Sequence, residues 1–160
     1  TTNSGKHIHV ACAIIERNGL VLAAQRSAVM SMPLKWEFPG GKIKTDESPE
    51  KCLRRELAEE LDVKIAIQKP LAPTTHEYPE FTVTLYPFIC SIVGGEIKRN
   101  EHAAITWLPS GALFTLDWAE ADLPILAAYL GNFKGKTSAA WELRARTATP
   151  GGSPFNSVFR

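Results

Sequence analysis

Along the first part of the chain, apolar residues recur at every second position: Ile8, Val10, Cys12 and Ile14. That rhythm predicts a half-buried strand. A second apolar run, Leu20 to Ala24, follows Asn18-Gly19, and Asn-Gly between two such runs predicts a tight antiparallel hairpin. Residues 27 to 46 lose the rhythm and carry the breakers Pro33, Pro39, Gly40 and Gly41, which predicts a loop-rich stretch. The period then changes. Leu53, Leu57 and Leu61 are four residues apart and share one helical face. Ser48 suits the N-cap, Pro49 the first helical position, and the helix is predicted to end near Asp62. Residues 63 to 69 predict a short strand. The run from Phe81 to Val93 predicts a longer one, in which Pro87 points to an edge or a bulge. Gly94-Gly95 predicts a turn, Ala104 to Leu108 a last strand, and residues 120 to 130 a closing helix with Asp122 at or near its start. From about Gly131 the chain is polar and rich in Gly, Ser, Thr and Pro, as linkers and disordered ends are. The order of strands, helix, strands, helix predicts an α/β (α+β) domain with a central mixed sheet covered by helices. We assign residues 1–131 to that domain and 132–160 to a C-terminal tail of unknown role.

Composition narrows the class. A length of 160 residues suits one core. The net charge of +1 gives no global field toward nucleic acid or a membrane, and no apolar run reaches the length of a membrane span. The start, "TTNSGKHIHV", has neither a Met nor a leader pattern, as expected of a processed, tagged or excised end. Cys12, Cys52 and Cys90 are odd in number and lack a C-x-x-C spacing, which argues against a disulfide framework or a zinc knuckle. They are expected to be small buried hydrophobes in a reducing, cytoplasmic setting.

The predicted helix carries an unusual charge pattern. On a helical wheel, Glu60 falls about 20° from the edge of the leucine stripe, Glu56 about 60° and Glu59 about 120°, all on one side. Three carboxylates therefore flank the buried face. One reading is a solvated face with ion pairs to Lys51, Arg54 and Arg55. The other is a site for a hard cation, Mg²⁺ or Mn²⁺, because clustered oxygen ligands without His or Cys select such ions. The helix alone leaves both open.

The spacing adds a family resemblance. Gly41, Glu47, Arg55, Glu56, Leu57, Glu59, Glu60, Asp62 and Val63 follow the Nudix box, Gly-x5-Glu-x7-Arg-Glu-apolar-x-Glu-Glu-x-Gly-apolar. Eight of these nine positions match, Asp62 standing where the box has Gly. Asp tolerates the left-handed conformation that such a Gly serves, so a small local stability cost is expected. The resemblance implies a Nudix α/β/α sandwich that hydrolyses a nucleoside diphosphate linked to another group. It further implies that Glu56, Glu59 and Glu60 hold Mg²⁺ (Mn²⁺ as substitute) with the Gly40 carbonyl. Glu56 would act as base, Arg55 would orient the carboxylates, and Glu47 would brace the loop.

Beyond the box, "WEFPGG" resembles the MutT-type branch. That branch implies a further metal-binding or base-assisting role for Glu101 and a phosphate grip for Arg26. It places Glu37, Phe38 and Asp122 at the substrate. Asp122 stands where MutT proper has Asn, and Phe81 where it has Arg. Both departures weigh against strict 8-oxo-guanine specificity, and Asp122 is similar to relatives acting on CTP and modified pyrimidine nucleotides. The plain alternatives are a solvated acid for Glu101, a strand-end Arg for Arg26, a core ring for Phe38 and a helix cap for Asp122. Surface roles are expected for His7 and His9. His76 and Glu77, beside Tyr78, are placed in a loop that could border the pocket, and Trp36 either on a base or over the sheet. The expectation is a nucleoside triphosphate diphosphohydrolase yielding a monophosphate and pyrophosphate. Hydrolysis of CTP or dCTP, or of another linkage such as ADP-ribose, is the alternative. The partner would be a small-molecule nucleotide, with no nucleic acid or membrane; a monomer is expected, with a dimer left open.

Overall fold

A computed structural model describes residues 5 to 131; the tail assigned to residues 132–160 lies outside the described residues. The elements are β1 (His7–Arg17), β2 (Leu20–Gln25), β3 (Trp36–Glu37), β4 (Gly40–Lys42), α1 (Pro49–Leu61), β5 (Lys64–Pro70), β6 (Thr74–Glu77), β7 (Thr82–Gly94), β8 (Ala104–Pro109) and α2 (Leu123–Gly131). Two 3₁₀ turns, Ser110–Thr115 and Glu120–Asp122, lead into α2.

The predicted hairpin is present. Asn18 and Gly19 both take positive φ, 53° and 78°, as a type I′ turn requires, and β1 returns as β2. The sheet order is β3-β2-β1-β7-β5, with β4 on β1, β6 on β7 and β8 on β2. β1 pairs parallel with β7, and the other pairs are antiparallel, so the sheet is mixed.

β1 is buried on both faces, more than its alternation indicated. Cys12 and Ile14 face a core with Trp118, Ile125 and Leu126 on the α2 side. Ala11, Ala13 and Ile15 face a second core with Leu53, Leu57 and Leu61 of α1. This is the predicted sandwich. The three cysteines are buried thiols, and burial pushes the Cys52 thiol up to about 11 and the Cys90 thiol up to about 12.

Helix α1 starts and stops where its residues dictate. Ser48 Oγ accepts from Lys51 N–H, and Asp62 closes the helix in the left-handed region at φ 62°. Two expectations need correction. Pro87 is not at an edge, because β7 lies between β1 and β5. It sits opposite the break between β5 and β6, where its carbonyl accepts from Leu71 N–H. The stretch from 27 to 46 is loop-rich, as expected, and includes β3 and β4, too short to show a period. His76 and Glu77 lie in β6, not in a loop. No helix among the described residues is long and apolar enough to cross a membrane.

Candidate active site

The wheel order of the three acids is the order of their burial: Glu60 is buried, Glu56 half-buried and Glu59 exposed. Arg55 ties the cluster together. Its Nε donates to Glu47 Oε2 at 2.7 Å, Nη2 to Glu47 Oε1 at 2.9 Å and Nη1 to Glu56 Oε2 at 2.8 Å. The hydrogen bond from Arg55, more than any other contact, holds the Glu47 carboxyl down at about 2. Glu59 stands 3.6 Å from Arg55 and is held least.

Glu60 has the opposite electrostatics. Burial pushes its carboxyl far above the usual range, aided by a hydrogen bond to Glu56 and by the charges of Glu37, Glu56 and Glu101. Its Oε1 is buried without a hydrogen-bond partner. Such an atom needs a proton or a cation. Among the described residues, no three His, Cys, Asp or Glu side chains close into a ready-made metal cage. The set of Glu56, Glu59, Glu60 and Glu101 is nevertheless all oxygen, crowded and short of positive charge, and this fits a hard divalent cation.

The Pro39–Gly41 loop lies against this cluster. A Cβ at Gly40 would meet the Ala11 carbonyl at 1.9 Å, and one at Gly41 would meet the Glu56 carboxylate at 2.2 to 2.6 Å. Only glycine lets β4 close on β1 and lets Glu56 rest on the loop.

On the other side of this loop opens a cavity of about 310 Å³. Ile8, Val10, Val83, Leu85 and Phe81 form its apolar walls; Lys6, Arg26, Glu37, Lys42 and Asp122 supply charge. Arg26 Nη1 donates to Glu37 Oε1 at 2.7 Å, and its Nε to Ser31 O at 2.6 Å. Asp122 is buried, and its Oδ2 accepts from Phe38 N–H at 3.0 Å. This contact joins residues far apart in the chain. The Phe38 ring packs on Trp118 in the core, with centroids 4.7 Å apart, while its backbone serves the cavity.

The structure thus gathers the predicted residues into two adjoining groups. Glu47, Arg55, Glu56, Glu59, Glu60 and Glu101 form the acid cluster; Arg26, Glu37, Phe38 and Asp122 line the cavity, and Gly40 lies between. Trp36 and His76 do not line the cavity: Trp36 packs on the core and His76 lies 3.4 Å from Glu120. His7 and His9 stack on each other along β1 and do not line the cavity. Sequence reasoning missed His102, which is buried and whose Nε2 lies 3.0 Å from Glu37 Oε2. Its position directly after Glu101 was the available signal.

Comparison with known proteins identifies the family. Residues 5–129 match the model of the NUDIX domain. The chain is 35% identical over 125 residues to the CTP pyrophosphohydrolase of Escherichia coli, covering 78% of this chain and 93% of that protein. It is 36% identical over 97 residues to the 8-oxo-dGTP diphosphatase of Proteus vulgaris, covering 60% and 87%. The solution structure of the E. coli ORF135 protein superposes with a TM-score of 0.71 at 33% identity, over 83% of this chain and 95% of that one. With a family match across most of its length and a relative of this similarity, the chain belongs to the NUDIX family and is a Nudix hydrolase of the MutT type. Nudix hydrolases are generally dependent on divalent metal.

Proposed function

We propose that this enzyme is a Mg²⁺-dependent nucleoside triphosphate diphosphohydrolase, with 8-oxo-dGTP or a related (d)NTP as substrate. Water and the triphosphate yield a monophosphate and pyrophosphate. The observation that carries this reading is the contact between Glu56 and Gly41, which sets the carboxylate cluster beside a nucleotide-sized cavity.

Glu56, Glu59, Glu60, Glu101 and the Gly40 carbonyl are the groups that would hold Mg²⁺ or Mn²⁺. Such an ion would neutralise charge on the phosphate oxygens and lower the pKa of the attacking water, so that it gives up a proton more readily. Glu56 takes up the proton of that water. Arg55 keeps Glu56 in place and Glu47 keeps Arg55 in place. Arg26 grips phosphate, and the apolar walls receive the base against the Phe38 backbone and Asp122.

A second reading, hydrolysis of CTP, dCTP or a modified pyrimidine nucleotide, is favoured by Asp122. An ionised carboxylate only accepts hydrogen bonds, and the cytosine amino group donates. The test is one panel of initial rates on 8-oxo-dGTP, dGTP, dCTP, CTP, 5-methyl-dCTP and ADP-ribose, scoring pyrophosphate and phosphate separately. The primary reading expects pyrophosphate, with 8-oxo-dGTP leading in kcat/KM. Cytidine nucleotides in the lead would establish the second reading, and the absence of pyrophosphate from every triphosphate would overturn both.

A further inference from the structure

His102 has no place in the chemistry above, yet it is one of the few buried polar side chains among the described residues. It lies in the segment before β8, which is tied back to the body at both ends. Asn100 N–H donates to the Glu60 carbonyl at 3.1 Å and Asn100 Nδ2 to the Glu59 carbonyl at 3.0 Å. Ala103 N–H donates to the Gln25 carbonyl at 2.8 Å, and Arg99 Nη1 to the carbonyls of His102 and Ala103. This segment therefore bridges the end of α1 and the end of β2, the two elements that present the carboxylates and Arg26.

The His102 side chain is 2% exposed, and its Nε2 meets Glu37 Oε2 at 3.0 Å. A carboxylate only accepts, so Nε2 carries the hydrogen. The other oxygen of Glu37 accepts from Arg26 Nη1 at 2.7 Å, and the Arg26 side chain is fixed further by Nε on Ser31 O and Nη2 on Ser31 Oγ. Three guanidinium N–H groups are engaged in this way, of the five that arginine carries. The result is a buried chain, His102–Glu37–Arg26, that ends on the cavity wall. His102 Nδ1 is itself buried without a hydrogen-bond partner. Leaving a polar atom unsatisfied there is unfavourable; a leucine would fill the space without that loss. The retention of an imidazole is accounted for by what its other nitrogen does.

We propose that His102 is a positioning residue for nucleotide binding: by holding one Glu37 oxygen, it fixes the other oxygen and so the Arg26 guanidinium in the cavity. Without the His102 donor, the buried Glu37 carboxylate loses a partner and turns to share Arg26 more closely, taking N–H groups away from the ligand. This rests on the nucleotide reading of the cavity above.

The variants are H102L, which removes the donor, and H102Q, whose amide nitrogen can stand where Nε2 stands. Two quantities are read in the folded proteins: KM against kcat for the best triphosphate of the panel, and the Kd of its monophosphate product by titration calorimetry in EDTA. H102L should raise both KM and Kd by about 10-fold, the scale of one lost hydrogen bond to a charged group, with kcat within about twofold. H102Q should restore most of the loss. In an R26M background, H102L should add nothing, because the two act in one chain. A purely structural histidine would lower Tm in H102L and leave KM and Kd at parent values, and that overturns the proposal. So does H102L adding its full effect in the R26M background. If H102L is too unstable to assay, equal KM and Kd in H102Q and a second variant, H102N, whose amide falls short of Glu37, overturn it as well. A parent chain that neither binds nor cleaves a nucleotide sinks the function and this proposal together. A parent that cleaves, with unaltered H102L binding, sinks only the latter.

Discussion

Helix α1 and the cavity beside it reach their geometry in opposite ways. In α1, one helix spaces Arg55, Glu56, Glu59 and Glu60, and the leucine stripe presses them against the Gly40–Gly41 loop. The cavity draws Lys6 from the chain start, Arg26 from the end of β2, Glu37 from β3, Val83 from β7 and Asp122 from the turn before α2. The acid cluster is local in sequence and strained in charge, since Glu60 is buried among other carboxylates. The cavity is non-local and nearly satisfied in charge, with Arg26 on Glu37 and Phe38 N–H on Asp122. Chemistry is thus concentrated where stability is given up, and recognition where several elements brace one another. Substitutions in the two regions should therefore separate: kcat for the helix, KM for the cavity.

The largest effect sharpens that separation. E56Q should lower kcat by about 10²- to 10⁴-fold, the range of a lost general base, with KM and Tm near the parent values. Steady-state kinetics and a melting curve check this, and an unchanged kcat would break the assignment of Glu56. G41A comes next, because its methyl group collides with the Glu56 carboxylate where the two regions join. The expected result is reduced kcat, because the flexible Glu56 carboxylate must swing aside, with a loss of at most about 1 kcal/mol in denaturant unfolding.

The third test concerns the charge strain. A carboxyl whose pKa is raised in the fold keeps its proton while the unfolded chain loses it. For Glu60, stability therefore declines as pH rises above the ordinary carboxylate value near 4.5. E60Q should be more stable than the parent in EDTA at pH 8, by about 1–2 kcal/mol, and nearly equal to it at pH 4. Saturating Mg²⁺ should raise the parent Tm at pH 8, more weakly at pH 5, and move E60Q less, because the cation competes with the proton. An E60Q chain less stable than the parent in EDTA at pH 8 would remove the strain from the comparison. Glu47 works in the other direction: its carboxyl is held down by Arg55, so its contribution is present above pH 4.5 and is lost as pH falls toward 2. The smallest effect is D62G. Glycine accepts the left-handed φ of 62° with less strain than aspartate, so unfolding should show a gain of about 0.5–1 kcal/mol with kinetics unchanged.

Much of the acid cluster is legible in the sequence. A helical period, a cap residue and a box spacing are short-range properties, so Ser48, Leu53, Glu56, Glu60 and Asp62 all take the places their neighbours imply. Even the burial order of the three acids follows from the wheel, because a rigid helix fixes side-chain directions. The hairpin at Asn18-Gly19 is legible for the same reason: two residues set the turn. By contrast, β3, β4 and β6 are defined by their backbone pairing with β2, β1 and β7, and they are too short to carry a pattern of their own. Of the two readings of Pro87, the edge fails because whether a strand lies at an edge depends on its neighbours in the sheet.

Taken alone, the sequence specifies the carboxylate helix, its ends, the glycine loop in front of it and the order of strands and helices. Packing in three dimensions settles the rest. It brings Asp122 to Phe38 N–H, sends the Phe38 ring to the core, and lets His102 reach Glu37. The difference is one of range: helix and turn geometry act over a few residues, whereas a buried hydrogen bond joins whichever polar groups the packed sheet brings together.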